Sequence, residues 1–158
     1  MALKLVEYKT LDTALKKGVS DLWNKEYPVG LVYENTTAFN TYLKTLSNPF
    51  HALLFDDEGT LRGWHFDFMR EHKKWFALIV DAGFQRMGYG CSMLQFAKEK
   101  ESELNGWVID HSGEKKKDGS PYLSPLEFYI KNGFTKSEER LELDHISAVK
   151  IKWRRDTI

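Results

Sequence analysis

The stretch Trp75–Lys98 reads WFALIVDAGFQRMGYGCSMLQFAK and decides the fold. Its first six residues, Trp75–Val80, form an apolar run of the length of a buried strand. A glycine-rich segment follows, and from Tyr89 onward the pattern is that of a helix. The first N–H groups of a helix have no partner within it, and the helix dipole adds partial positive charge there. A strand, a glycine loop and a helix in this order therefore predict a site for a phosphate group.

The spacing of the glycines excludes two familiar phosphate loops. A P-loop needs Lys and then Ser or Thr at the positions that Tyr89 and Gly90 occupy. A dinucleotide fingerprint needs a third glycine where this chain has Met93. The pattern that is satisfied is Gln-x-x-Gly-x-Gly, formed by Gln85, Gly88 and Gly90.

This pattern resembles the pyrophosphate loop of the GNAT superfamily, the N-acetyltransferases that use acetyl-coenzyme A. A second stretch, Glu127–Phe134, resembles the later motif of the same family, Tyr-x-x-x-Gly-Phe at a helix end. Gly133 stands where a helix C-terminus favours a left-handed residue. The resemblance covers the region from Leu61 to Arg140, and the remaining sequence carries no motif of the family.

The order of the predicted elements agrees with this resemblance. We expect two early helices, one capped by Thr10 or Asp12 and ended by Pro28, the other capped from Asn35 and ended by Asn48-Pro49. The other predicted elements are strands Leu3–Tyr8, His51–Phe55, Leu61–Met69 and Trp75–Val80, helix Tyr89–Glu103, strand Gly106–Asp110, helix Leu126–Asn132, and strands Arg140–Asp144 and Ala148–Trp153.

The resemblance implies a fold of the α/β class, mixed α+β: the GNAT acyl-CoA acyltransferase fold. Its sheet is mixed but mostly antiparallel, with about seven strands, a splayed parallel pair and about four flanking helices. The length of 158 residues predicts a single domain, 1–158.

Composition narrows the class of function. The 23 acidic and 23 basic residues balance, which argues against nucleic acid and membrane surfaces as partners. The single cysteine, Cys91, excludes an internal disulfide and suits a reducing compartment. No signal peptide is evident, so we expect a cytoplasmic protein of bacterial type. The five histidines show no metal-binding spacing, and no metal is expected.

The resemblance assigns the cofactor-binding residues. Backbone groups of Leu78, Ile79 and Val80 would pair with the pantetheine arm of acetyl-CoA. The pyrophosphate would lie on the loop that contains Gln85, Arg86, Met87, Gly88, Tyr89, Gly90, Cys91 and Ser92. The alternative is an ordinary strand–turn–helix whose glycines only reverse the chain.

The resemblance also implies that Tyr129 protonates the departing thiolate, although a tyrosine there also packs well as a core residue. A general base for the amine is less clear, because the strand before the loop carries no titratable side chain. Asp110 and His111 are candidates after the next strand, and His65 and Asp67 on the preceding one. A water relay without a dedicated base is equally compatible.

Several segments have two interpretations. Tyr122 stands where many members of the family have an asparagine that contacts the pantetheine arm. The loop 111–124 is expected to fold over the site, with Lys115–Lys117 either reaching a phosphate or acidic group or remaining solvated. The aromatic residues Trp23, Tyr27 and Tyr33 either shape the acceptor pocket, together with the last hairpin, or belong to the core.

The sequence therefore predicts an acetyl-CoA-dependent N-acetyltransferase, monomeric or homodimeric, that acetylates a primary amine of a small molecule or peptide. Direct attack within a ternary complex needs no covalent nucleophile. The alternatives are a non-catalytic acyl-CoA-binding module and an interaction scaffold with the same fold.

Overall fold

The computed structural model describes residues 3–144 and 146–156. Seven strands and four α-helices follow one another in them, in the order that the sequence predicts. Their bounds are β1 Lys4–Tyr8, α1 Thr13–Glu26, α2 Thr36–Lys44, β2 Ser47–Phe55, β3 Leu61–Arg70, β4 Lys73–Val80, α3 Tyr89–Lys100, β5 Glu103–Val108, α4 Leu126–Lys131, β6 Thr135–Leu143 and β7 Ile146–Arg154. Short 3-10 turns lie at Val29–Leu31 and Ala82–Phe84.

The two early helices begin where the sequence places their caps. The Asp12 carboxylate accepts a hydrogen bond from the backbone N–H of Leu15 at 2.8 Å. The Asn35 side chain does the same for the N–H of Ala38 at 2.8 Å. Each cap satisfies one of the amides that a helix leaves without an internal partner.

Several predicted boundaries were wrong, among them the start of β2, which lies at Ser47 rather than His51. Asn48-Pro49 lies within β2 at an irregularity of its pairing with β3, where Asn48 takes a left-handed φ of 49°, so α2 ends before it. Helix α3 ends at Lys100 and β5 begins at Glu103, earlier than predicted. Strand β6 begins at Thr135 rather than Arg140, and a shift in its pairing with β7 between Lys136 and Arg140 separates its two halves.

All strands belong to one sheet in the order β1-β2-β3-β4-β5-β7-β6, antiparallel except for the pair β4–β5. The parallel pair matches only Trp75 with Asn105, and the two strands separate beyond that point. A Cβ atom at Gly106 would lie 2.9 Å from the Phe76 ring, so glycine leaves room for this ring beside the junction. The second half of β4 therefore presents an edge that β5 does not cover.

Helices cover the sheet on both faces. The side chains of β4 alternate between two cores, Trp75 and Ile79 on the side of α1 and α2, Phe76 on the side of α3 and α4. The first core is built mainly from Val19, Trp23, Phe39, Leu53, Trp64 and Phe66. The second contains Leu94, Ala97, Leu104, Tyr129, Phe134 and Ile151. The sequence prediction of a mixed seven-stranded sheet with a splayed parallel pair is confirmed.

Candidate active site

The loop between β4 and α3 has the conformation of an anion-binding loop. Gly88 forms the N-cap of α3 with φ 87°, and Arg86 is also left-handed, with φ 63°. The helical hydrogen bonds begin with the N–H of Ser92, which binds the Gly88 carbonyl at 3.0 Å. The amides of residues 89–91 are thus not used by the helix. A Cβ atom at Gly88 would meet nothing within 4 Å, so the space in front of the loop is open.

The beginning of this loop is held by two acids. One Asp81 oxygen accepts the N–H of Gly83 at 2.9 Å, and the other accepts Lys25 Nζ at 2.7 Å. Burial opposes ionisation of Asp81, but these hydrogen bonds outweigh it and hold the pKa of the carboxyl below its ordinary value. The second acid, Glu26, accepts the N–H of Ala82 at 2.9 Å. The loop is therefore anchored at residues 81–83, ahead of Gly88 and Gly90.

The free edge of β4 offers alternate backbone groups to a ligand. In an antiparallel ladder, residues exchange hydrogen bonds with the neighbouring strand at every second position. The Asp81 N–H binds the Arg62 carbonyl on β3 at 2.7 Å, so the backbone N–H and carbonyl of Ile79, two residues earlier, also point towards β3. The backbone N–H and carbonyl groups of Leu78 and Val80 point the other way, into the gap beside β5. The Gln85 side chain already donates to the Val80 carbonyl at 2.8 Å, which ties the loop to the strand.

The loop, the β4 edge and α4 enclose a cavity of about 590 Å³, which we call the cleft. Eight of the predicted cofactor residues line it: Leu78, Ile79, Val80, Gln85, Arg86, Gly88, Gly90 and Cys91. The other three do not. Met87 is exposed to solvent, the Ser92 hydroxyl donates to the Gly88 carbonyl at 3.1 Å, and the Tyr89 ring lies near the Phe84 ring.

Gly90 has a packing role that its motif did not indicate. A Cβ atom at this position would lie 3.0 Å from Cζ of Phe128 on α4. The second glycine of the motif thus allows α3 and α4 to approach closely, whereas Gly88 leaves open space for a ligand.

Tyr129 lines the cleft from α4 and is buried among aromatic rings. Its ring centroid lies 5.8 Å from that of Phe76 and 5.4 Å from that of Phe134. Burial raises the pKa of the Tyr129 phenol well above its ordinary value, and the neighbouring Tyr122 adds to the effect. The hydroxyl therefore stays protonated throughout the neutral range, and as an acid it is weaker than an ordinary phenol.

The candidate bases lie away from the cleft lining. Asp110 is bound by the guanidinium of Arg140 through two hydrogen bonds of 2.9 and 3.1 Å, which lower the pKa of its carboxyl. The His111 Nδ1 accepts the N–H of Gly113 at 3.1 Å. His65 and Asp67, both on β3, are fully buried and bind each other at 3.1 Å. None of these four residues lines the cleft with Tyr129.

The aromatic residues near the N-terminus divide between core and cleft. Trp23 packs in the core against Tyr27, Tyr33 and Phe39, and its indole N–H donates to the Leu31 carbonyl at 2.8 Å. Of the three residues expected at an acceptor pocket, only Tyr27 lines the cleft. The turn of the last hairpin includes His145, which lies outside the described residues.

The loop 111–124 does fold over the cleft, and it brings Tyr122 into the lining. Burial raises the pKa of the Tyr122 phenol to about 12. Of the three lysines, Lys115 and Lys117 are exposed, but Lys116 turns inward and donates to Glu26 at 2.8 Å. The expectation that the lysines are either solvated or free to reach a phosphate was wrong for Lys116, because a buried carboxylate pairs with it.

Sequence reasoning missed Glu26, Phe128 and Lys131, all of which line the cleft. Glu26 carried one weak signal, since an acid in the last turn of a helix is unfavourable to the helix dipole. Lys131 and Phe128 lie within the second motif but had no role there.

Within residues 3–144 and 146–156, no helix combines the length and apolar character needed to cross a membrane. In the same part of the chain, no cluster of three or more His, Cys, Asp or Glu residues is placed to hold a metal ion.

Comparison with known proteins gives a match at the level of structure. No protein-family model and no curated protein sequence matches the chain. An aminoglycoside 6'-N-acetyltransferase solved with coenzyme A superposes with a TM-score of 0.71 at 15% identity, covering 96% of both chains. An acyl-CoA N-acyltransferase from Pseudomonas aeruginosa gives 0.71 at 13% identity, covering 96% of this chain and 99% of the other.

An acetyltransferase of the GNAT family from Staphylococcus aureus gives a TM-score of 0.69 at 13% identity, covering 98% of this chain and 100% of its own. These likenesses extend over nearly the whole chain. The chain therefore has the acyl-CoA N-acyltransferase fold of the GNAT family.

Proposed function

We propose that the protein is an acetyl-CoA-dependent N-acetyltransferase that transfers the acetyl group to a primary amine by direct attack in a ternary complex. The observation that carries this proposal is the junction of two unused sets of backbone groups in one cleft. The amides of Gly90 and Cys91 lie at the same cavity as the Leu78 backbone and the Val80 N–H on the β4 edge. A relative in fold was solved with coenzyme A.

The residues present fit this co-substrate. A pyrophosphate suits the N-terminus of α3, where the open space at Gly88 allows close approach and the Arg86 side chain adds positive charge. The amide-containing pantetheine arm suits the Leu78 and Val80 backbone, as an added strand would. Acetyl-CoA itself supplies the activated thioester.

The chemistry that remains for the chain is to position the amine and move two protons. We propose that Tyr129, which lines the cleft, protonates the leaving thiolate. The same desolvation that raises the pKa of its phenol also raises that of a thiol. The candidate bases lie outside the cleft lining, so we infer that the amine loses its proton through water. A cytoplasmic location, a small-molecule or peptide acceptor, and a monomeric or dimeric state stay predictions.

Ligand-induced stabilisation tests the cofactor site. At about one hundred times its dissociation constant, acetyl-CoA or CoA should add about 2.7 kcal/mol to the free energy of unfolding. For this size the melting temperature should rise by about 5–10 °C. Gly88→Asn should abolish the rise, because asparagine tolerates the left-handed backbone but fills the space before the loop.

Gly59→Asn is the matched control, since Gly59 is also left-handed with open space around it but lies in the turn between β2 and β3. It should keep the full ligand shift. No shift of the wild-type protein with either form of CoA would exclude the proposed function. A shift without thiol release in the presence of a panel of primary amines would instead indicate an acyl-CoA-binding module.

A further inference from the structure

Glu26, the last residue of α1, is a buried acid whose two carboxylate oxygens bind two different loops. Oε2 accepts the N–H of Ala82 at 2.9 Å, at the start of the phosphate loop. Oε1 accepts Lys116 Nζ at 2.8 Å. Only 4% of the Glu26 side chain and 16% of the Lys116 side chain are exposed. One carboxylate thus joins three segments that are far apart in the sequence.

Lys116 belongs to a small hairpin, residues 114–122, whose last residue, Tyr122, lines the cleft. Its two arms are joined by hydrogen bonds from Lys116 N–H to the Ser120 carbonyl at 2.8 Å and from Tyr122 N–H to the Glu114 carbonyl at 2.9 Å. Val29 N–H binds the Lys115 carbonyl at 2.8 Å and ties the hairpin to the turn after α1. The hairpin leads directly into the cleft-lining residues Tyr122 and Leu123.

A second cavity of about 410 Å³ lies between this hairpin and the phosphate loop. It shares five lining residues with the cleft: Glu26, Gln85, Arg86, Tyr122 and Leu123. Glu26 therefore lies in the wall common to both cavities, under the hairpin and beside the loop.

We propose that Glu26 is a positioning residue that couples the hairpin to the phosphate loop and thereby sets the affinity of the cleft for CoA. A buried carboxylate is costly unless its partners stay in place. Displacing either segment leaves the Glu26 charge incompletely paired, so each segment restrains the other. A cleft held in its binding conformation loses less freedom when the ligand binds. The proposal on affinity rests on the proposed function, whereas the coupling of the two segments does not.

The test combines a readout without ligand and one with CoA. Amide hydrogen exchange at Ala82 and across residues 114–122 is compared in wild type, Glu26→Gln, Lys116→Met and the double variant. Titration calorimetry with CoA is carried out on the same four proteins. We expect each single variant to speed exchange in both segments at least tenfold and to raise the Kd for CoA at least fivefold. The exchange rates and the Kd of the double variant should differ from those of either single variant by no more than twofold, because both substitutions remove the same ion pair.

Asp12→Ala is the matched control, since it removes the N-cap at the opposite end of α1. It should lower the melting temperature yet leave exchange at Ala82 unchanged and the Kd within twofold. Additive effects of Glu26→Gln and Lys116→Met, or an unchanged Kd despite faster exchange, would overturn the proposal. If wild type does not bind CoA, the proposed function fails, and the exchange data alone decide whether Glu26 couples the two segments.

Discussion

Tyr129 is the side chain with the clearest chemical assignment in the cleft. Tyr129→Phe keeps the ring among Phe76, Phe128 and Phe134 but removes the hydroxyl. If that hydroxyl protonates the leaving thiolate, kcat should fall about 100-fold, in the range expected for the loss of a general acid. The Kd for acetyl-CoA should stay within twofold, since the packing is retained. Steady-state kinetics and titration calorimetry measure the two effects separately.

Tyr122→Phe provides the comparison, because Tyr122 is also a tyrosine that lines the cleft with a raised phenol pKa. It should change kcat much less than Tyr129→Phe does. Equal losses of kcat from both substitutions would show that neither hydroxyl is the specific proton donor to the thiolate. The raised pKa of Tyr129 also predicts that its ionisation causes no fall in kcat as the pH rises to about 9.

At the level of elements, the opening between β4 and β5 depends on one small residue. Gly106→Ala would place a Cβ atom 2.9 Å from the Phe76 ring, so the ring or β5 must move. Such overpacking should lower the free energy of unfolding by about 1–3 kcal/mol. Urea denaturation measures the loss. The paired change Phe76→Leu in the same molecule should recover part of it, and additive losses in the double variant would contradict this account.

The elements themselves were largely predictable because their signals are local. Asp12 and Asn35 cap the helices they precede, and Gly133 takes the left-handed φ of 89° that its place after α4 requires. The end of α3 was not predictable in this way. The carbonyls of Lys98 and Glu99 in its last turn and that of its C-cap, Glu101, accept hydrogen bonds from Arg155, which is more than 50 residues away in the chain.

The same distinction explains which parts of the site the sequence predicted. The phosphate loop is a contiguous motif, so its backbone conformation follows from neighbouring residues. The partners of Glu26 and Asp110 are set by tertiary packing, and no spacing pattern pairs Glu26 with Lys116 or Asp110 with Arg140. The prediction of a single domain over 1–158 stays a prediction, as His145 and the termini lie outside the described residues.

Considered as a whole, the protein should lose stability in mild acid through one buried histidine. His51 lies against the α1–α2 side of the sheet, where its Nδ1 accepts the indole N–H of Trp64 at 3.0 Å. Burial lowers the pKa of His51 to about 4; Asp67 opposes this with a smaller effect, and His65 adds a still smaller lowering. The unfolded chain has an ordinary histidine pKa of about 6.5 and binds the proton that the folded state excludes.

Below pH 6.5 the unfolded state therefore gains protons first, and the free energy of unfolding falls as the pH falls towards about 4. Between pH 7 and pH 5 the loss from this group should be about 2 kcal/mol. His51→Asn isolates it, because asparagine can accept the Trp64 indole N–H but does not titrate. Urea denaturation at pH 7, 6 and 5 should show a shallower pH dependence for the variant than for wild type. Since the other four histidines are common to both proteins, equal slopes would mean that His51 takes up its proton without loss of the fold.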